Sequence, residues 1–438
     1  MLVDTSPSIR MFQLFKLLAR DYGWLVLLAV PAALVAHHYF TRLPRLARSA
    51  WVAASAVLVM ALIAVAVVIM AHNYEQPPQW DFQLYWVFGR AAVTGRNPYD
   101  VQALREIATS VPFSDELLGE TVFLHPPPTL FLFAPLGWFD MRTSCLLWQV
   151  FHATLLIVSI LWLWRAFFPD ADWTALLLVA LLTLMLRSTL ETVRFTQVNF
   201  LSLALFLGVW QWRSKVLGGV LLGLALIVKP VFFLIPLYLL ARGHLRAIVG
   251  VAITAVATSA ASVLVFGWEM FLGYFRANPL SRDLPHYFYT EWINQSLLAT
   301  SLRLTGQDLA VHGPYSNPLF WTGAAIFAAV SAWTIWRLPR DRDDWALAIA
   351  LVLSLLLFPK TLSHYGVLLL PPLLLVWSRR DRLPFAAWTA SLVIGTVYLL
   401  VGTQQLLPAL IVLWLTLIAV TGRLKEPTEV SRPAKRDD

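Results

Sequence analysis

Charge is scarce in this chain. Of its 438 residues only 13% are charged and 59% are hydrophobic, whereas a soluble globular chain carries roughly 25% charged residues. That balance excludes an ordinary soluble enzyme and predicts a polytopic membrane protein. Sulfur chemistry is nearly absent too: the single cysteine, Cys145, rules out an internal disulfide and a cysteine-rich metal site, and reads as a packing residue within a helix. No GxxxxGK[ST], Rossmann GxGxxG, HExxH or GxSxG motif occurs, which argues against nucleotide chemistry, a zinc protease or a serine hydrolase elbow. His125, His286, His312 and His364 are isolated, while His37 and His38 adjoin the end of an apolar run. No metal and no cofactor are therefore expected.

Acidic residues are fewer than basic ones, 25 against 33, for a formal charge of +8. Because the arginines sit in short loops between apolar runs, the excess reads as membrane topology, and nucleic acid is not an expected partner. No small-residue cleavage site follows the first apolar run, so no cleavable signal peptide is expected. Residues 1–22 alternate basic and apolar positions at helical spacing and predict an interfacial segment.

A membrane span needs about 20 apolar residues. Candidate spans run approximately over 23–40, 51–72, 143–164, 173–190, 197–212, 246–267, 317–338, 344–358, 362–378, 384–402 and 405–421. With two irregular regions added, this predicts an all-α bundle of roughly 11–13 transmembrane segments over 23–421, followed by a disordered cytoplasmic tail, 422–438. Placing the clusters TRLPRLARS, WRSK, ARGHLR, WRLPRDRDD, WSRRDR and GRLKEP in the cytoplasm leaves outside the segments 73–142 and 268–316 and the turn FPKTLSHYG. The same scheme puts the amino terminus outside despite Arg10, Lys16 and Arg20.

Parity makes PPPTLFLFAPLGWF re-entrant or interfacial, since it is too short to span and bounded by prolines. The run from Val216 to Leu240 carries cytoplasmic-type charge at both ends and Lys229-Pro230 at its middle. Two half-helices of about 12 residues cover only some 18 Å each, so their junction ends within the membrane profile, where broken backbone survives only beside a polar cavity. The alternative is one tilted helix with a snorkelling lysine.

The unusual polar residues all fall on the non-cytoplasmic side: Asp81 with Tyr85, the turn GRNPYD with Asn97 and Tyr99, His125, Glu191, Arg194, Gln197, Asn199, Lys229, NQS with Asn294 and Gln295, Arg303, Lys360 and His364. A polar cavity opening outward accounts for that segregation. Asp81 and Tyr85 are four apart and share a helical face. Taken alone, Asp81 reads first as a helix N-cap, and its aromatic neighbours as an interfacial belt.

The ordered segments DFQLYWVFGRAAVTGRNPYD, FLHPPPTLFLFAPLGWF, TQVNFLSLALFLGVW, LLGLALIVKPVFFLIPLYLLARGH, NQSLLATSLRL and FPKTLSHYGVLLLPPLLL together resemble glycosyltransferase family 87, over roughly residues 75–380. Its members have the GT-C membrane fold and include mannosyltransferases that use polyprenyl-phosphate mannose. The resemblance implies a single GT-C-like domain whose first external loop carries interfacial helices and a catalytic base, matched by Asp81. It further implies a donor-phosphate lysine at Lys229 and later loop residues at Asn294, Gln295 and His364. The chain departs from the family pattern in reading TQVN where GQVN is usual, LHPPP where an aromatic precedes the prolines, and Ser363-His364-Tyr365 without the usual Trp or second His.

A lipid phosphosugar already carries a good leaving group, so one base and a few cations suffice, unlike the two carboxylates of a hydrolase. Asp81 supplies the base; Lys229, with Arg194, Arg303 or Lys360, holds the phosphate. Tyr85, Asn97, Tyr99, His125, Gln197, Asn199, Asn294, Gln295 and His364 remain to contact substrate. The expectation is hexose transfer, most simply mannose, with inversion, from a polyprenyl-phosphate donor to a lipid or glycan acceptor, on the outer side of the plasma (inner) membrane. A transporter or lipid flippase built around Lys229 is the alternative.

Overall fold

A computed structural model describes residues 44–108, 125–170, 173–277, 289–379 and 406–423. The expected interfacial segment 1–22, the spans 23–40 and 384–402 and nearly all of the tail lie outside the described residues. Within them the architecture is all-α, without a strand, as an apolar chain must be when backbone groups have no water to bond.

Apolar runs and their charged borders set the helices. Helix α1 covers Arg45–Glu75, α2 Leu84–Val93 and α3 Val101–Ala108. The long α4, Met141–Phe167, starts at Asp140, whose carboxylate accepts from the amides of Arg142 and Thr143, an N-cap. Then follow α5 Trp173–Met185, α6 Arg187–Phe195, α7 Asn199–Trp212 and α8 Val216–Val228. Next come α9 Ile235–Ala241, α10 Leu245–Phe266, α11 Trp268–Ala277 and α12 Leu297–Thr305. Helices α13 Pro318–Arg337, α14 Asp343–Leu357, α15 Leu370–Ser378 and α16 Leu406–Arg423 complete the series.

Among the described residues four helices, α1, α4, α10 and α13, are long and apolar enough to cross a membrane alone. The predicted span 173–190 is instead a bent pair, α5 and α6, meeting at 61°. Other expected spans are shorter apolar helices, such as α7 and α16. The run through Lys229 is not one tilted helix: α8 stops at Val228, Lys229 is extended (φ −150°, ψ 111°), and a 3-10 turn at Pro230–Phe232 precedes α9. Proline removes a helical donor and disfavours helical backbone in the residue before it.

Helix α14 is apolar and buried on nearly every side and forms the centre of the larger core, with Trp345, Phe206 and Phe232. Helix α8 packs closely on α10, where a Cβ on Gly219 would lie 1.7 Å from the Ala247 carbonyl oxygen. A second core belongs to the loop after α1. Phe82, Tyr85, Trp86 and Phe88 pack there with Phe133, Trp148, Val198 and Val228. These aromatics are buried packing groups and not a belt exposed to lipid headgroups. The segment PPPTLFLFAPLGWF folds as short turns, Pro127–Thr129, Leu130–Phe133 and Ala134–Trp138, and packs on α2. Gly89 permits that approach, since a Cβ there would stand 2.1 Å from the Phe133 carbonyl oxygen.

Candidate active site

Asp81 lies in a five-residue π-helical turn, Gln79–Gln83, between α1 and α2. Gln83 fixes the turn by donating from Nε2 to the Pro77 carbonyl at 2.7 Å. Neither the turn nor α2 has a side-chain cap, so the Asp81 carboxylate is no N-cap. It accepts a hydrogen bond from Gln197 Nε2 instead. Gln197 is held in turn by Tyr85, whose hydroxyl donates to Gln197 Oε1 at 3.2 Å while its ring stacks on Phe133 at 4.5 Å.

The turn that presents Gln197 begins at Thr196, the one non-glycine residue with positive φ (54°) among the described residues. Trp148 Nε1 secures it by donating to the Thr196 carbonyl at 2.8 Å. Two residues on, Asn199 opens α7. Its Nδ2 donates to Thr192 Oγ1 at 3.1 Å, and its Oδ1 accepts from the ammonium of Lys229. That ammonium is buried and lies 3.7 Å from the centroid of the Tyr365 ring.

Lys360 reaches the same centre from the turn after α14, close enough for its charge to act on Asp81. The turn is fastened by residues 294–296: Asn294 Nδ2 and Ser296 Oγ donate to the Pro359 carbonyl at 3.1 and 2.8 Å, and the Gln295 amide donates to Thr361 O at 2.7 Å. Behind it, buried Glu191 pairs with Arg187 at 2.7 Å and accepts from Ser363 Oγ, tying α6 to the segment that carries His364.

Burial pushes the Asp81 carboxyl up to about 7, against the opposing pull of Lys229 and Lys360. It lowers Lys360 to about 8, with Glu291 and Asp81 pulling the other way. His125 is driven down to about 4 by burial first and then by Lys229, so it is neutral at pH 7.

The structure thus brings together Asp81, Tyr85, Gln197, Asn199, Lys229 and Lys360, with Tyr365 beneath the lysine. His364 is adjacent and buried, its Nε2 without a partner. His125 stands edge-on to Tyr85 at 6.3 Å, and its carbonyl accepts from the Tyr99 hydroxyl at 2.9 Å. Asn97 shapes the loop, accepting from the Tyr99 amide at 2.9 Å. Two arginines point elsewhere. Arg303 spends its guanidinium on the carbonyls of Glu291 and Asn294, at 3.0 and 2.9 Å, and on Thr300. Arg194 is exposed, its guanidinium over its neighbour Phe195. Sequence reasoning passed over Tyr365, although a ring next to His364 in a chain with an intramembrane lysine was the available signal. Among the described residues no cluster of three metal-binding side chains occurs.

Helices of this length and apolarity, enclosing one acid and two lysines, define a polytopic α-helical membrane protein with a polar centre. The chain belongs to glycosyltransferase family 87, whose model matches residues 123–359, and it is a glycosyltransferase. Asp81 and its π-turn precede the matched segment. Similar proteins include two polyprenol-phosphate-mannose-dependent α-(1-2)-phosphatidylinositol mannoside mannosyltransferases. The one from Mycobacterium tuberculosis is 26% identical over 70% of this chain and 72% of its own length. The one from Mycolicibacterium smegmatis is 26% identical over 74% and 76%. An α-(1→3)-arabinofuranosyltransferase of Corynebacterium glutamicum is 24% identical over 74% and 75%. No solved structure matches.

Proposed function

We propose that this glycosyltransferase moves mannose from polyprenyl-phosphate mannose to a hydroxyl of a glycolipid or glycan acceptor, with inversion, and that Asp81 is the general base. The observation that carries the reading is the meeting of one carboxylate and two lysines, from three separate parts of the chain, with the amides of Gln197 and Asn199 between them. The mannosyltransferase relatives favour the donor.

Asp81 takes the proton of the acceptor hydroxyl as its oxygen attacks the anomeric carbon. The bond from that carbon to the phosphate oxygen breaks, and polyprenyl phosphate leaves with the electron pair. A carboxyl near 7 is a stronger base than an ordinary aspartate and still largely ionised just above neutrality. Lys229 and Lys360 meet the charge that grows on the leaving phosphate, where low dielectric strengthens each contact. A single base implies one displacement, so a β-linked donor gives an α-linked product.

The two ends of the helices differ in charge. Helix α7 carries Asn199 at its start and Arg213 beyond its end, separated by about 21 Å at 1.5 Å per residue. Arg213, Arg242 and His244 gather on Asp343 at that far end. Positive charge favours the cytoplasm, which supports an outer position for Asp81, on the plasma membrane. Transport, the alternative raised by the broken helix, does not fit membership in an enzyme family.

The test uses purified full-length protein with radiolabelled polyprenyl-phosphate mannose, a polyprenyl-phosphate pentofuranose as the competing donor, and a panel of phosphatidylinositol mannosides. Mannose transfer that falls at least 1,000-fold in Asp81→Asn is the expected result. Transfer that survives the substitution removes Asp81 as base, and turnover of the pentofuranose alone replaces the sugar.

A further inference from the structure

Within the buried centre Asp81 and Lys229 are the natural ion pair, yet their hydrogen bonds go elsewhere. Among the described residues no ion pair joins them; Asp81 accepts from Gln197, and Lys229 donates to Asn199. Both amides come from one turn, two residues apart, and both are pinned in a single orientation. Thr192 Oγ1 has already donated its proton to the Ser188 carbonyl at 2.7 Å, so it can only accept from Asn199. That leaves the Asn199 oxygen facing the lysine. An ionised Asp81 accepts only, so Gln197 must turn its nitrogen to it and its oxygen to Tyr85.

We propose that Gln197 and Asn199 are positioning residues acting as spacers: together they hold Asp81 and Lys229 apart as an open pair, leaving between them the place where acceptor hydroxyl and donor phosphate meet. The inference rests on Asp81 being the base. Opposite charges in a low-dielectric centre attract strongly enough to close on each other unless each already has a partner. A closed pair is a poor catalyst twice over: the carboxylate is a weaker base, and the ammonium is withdrawn from phosphate. An amide satisfies either charge without neutralising it.

Other groups around Asp81 do not do this work. Lys360 and Tyr365 face it from the segment after α14, and Tyr85 from α2. His125 and His364 lie within reach of Lys229. On α6, Glu191 is taken by Arg187 and Ser363, and Arg194 is exposed. Glu291 acts on Lys360. Among the described residues only Gln197 and Asn199 bond to the two charges and share a backbone turn.

Spacer and simple hydrogen-bond donor predict opposite shifts, so the acid limb of the kcat/KM profile decides. Wild type, Gln197→Met and Asn199→Leu, which keep most of the side-chain bulk, are compared after each is shown to retain the wild-type melting temperature. If the amides are spacers, either change lets Asp81 and Lys229 close, kcat falls at least tenfold, and the acid limb moves down by half a pH unit or more. Loss of a mere donor to the carboxylate moves the limb up in Gln197→Met and leaves it in place in Asn199→Leu; a limb unmoved in both marks a structural role. Either outcome overturns the proposal. Gln197→Asn, which withdraws the amide by one methylene, is the second variant should the apolar ones fail to fold, with a smaller downward move expected and an unmoved or raised limb counting against the proposal. Asp81→Asn separates the two levels: if it still transfers sugar, the base assignment fails; if it is inactive and the limbs do not fall, only the spacers fail.

Discussion

The ammonium of Lys229 lies 3.7 Å from the centroid of the Tyr365 ring and donates to the side-chain oxygen of Asn199. A ring face attracts a cation without forming a hydrogen bond, so it steadies the lysine while leaving its protons for a phosphate. Tyr365→Phe keeps the face and is expected to leave the donor KM within about twofold. Tyr365→Leu removes it, and a cation–π contact of about 1 kcal/mol corresponds to a KM raised roughly fivefold. Initial rates against donor concentration for the two variants provide the check.

The pH profile should be a narrow bell. Activity needs Asp81 ionised, so it rises through about pH 7, and needs Lys360 protonated, so it falls above about pH 8. Lys360→Arg, which stays charged far beyond that range, is expected to extend the alkaline limb. An alkaline limb unchanged in that variant would assign it to another group.

Asp81 also exacts stability. Its folded pKa near 7 stands above the unfolded value of 3.8, so the folded state holds the extra proton between them and stability is lost as pH rises through that window. Asp81→Asn removes the buried charge. Its melting temperature in detergent is expected to exceed that of wild type at pH 8, with the gap narrowing as pH falls below 7 and closing only near pH 4.

Thr196 occupies a left-handed backbone position that costs a non-glycine residue about 1 kcal/mol or more. Thr196→Gly is expected to keep activity and raise the melting temperature slightly, because the Trp148 contact is to the backbone carbonyl and survives. Thr196→Val keeps the branched side chain at the strained position and loses the hydroxyl that donates to the Phe195 carbonyl, so it should melt lower. Thermal unfolding of the pair decides it.

Much of this fold was legible because membrane helices announce themselves. Apolar runs with basic borders predicted α1, α4, α10 and α13 to within a few residues, and Lys229-Pro230 marked the break after α8. The bend between α5 and α6 was not foreseen: the apolar run ends at Leu186 and the polar RSTLETVRF follows, with no proline or glycine to mark a break in the backbone. Site residues were found as a set more readily than as individuals. Asn294 and Gln295 were expected as substrate contacts; the structure adds that the Asn294 side chain and the Gln295 backbone amide bond to the backbone of residues 359 and 361, a pairing that sequence spacing cannot reveal. Arg303 was a candidate phosphate ligand for its charge alone; three carbonyls in its own loop take it. Gln197 stood out in the sequence as an unusual polar residue, but its bond to Asp81 joins positions 116 apart, which spacing does not reveal.

The carboxylate of Asp343 receives Arg213, Arg242 and His244 at the end of the bundle remote from Asp81. Followed along the chain, Arg213 terminates the helix that begins with Asn199, Arg242 terminates the one that follows Lys229, and Asp343 itself begins the helix that leads to Lys360. One acid therefore serves as the foot of a tripod whose three legs carry the cations and their holder to the reacting centre. The far ends of those legs, with Asn199, Lys229 and Lys360, are therefore held in register with one another by an ion cluster that takes no part in the chemistry.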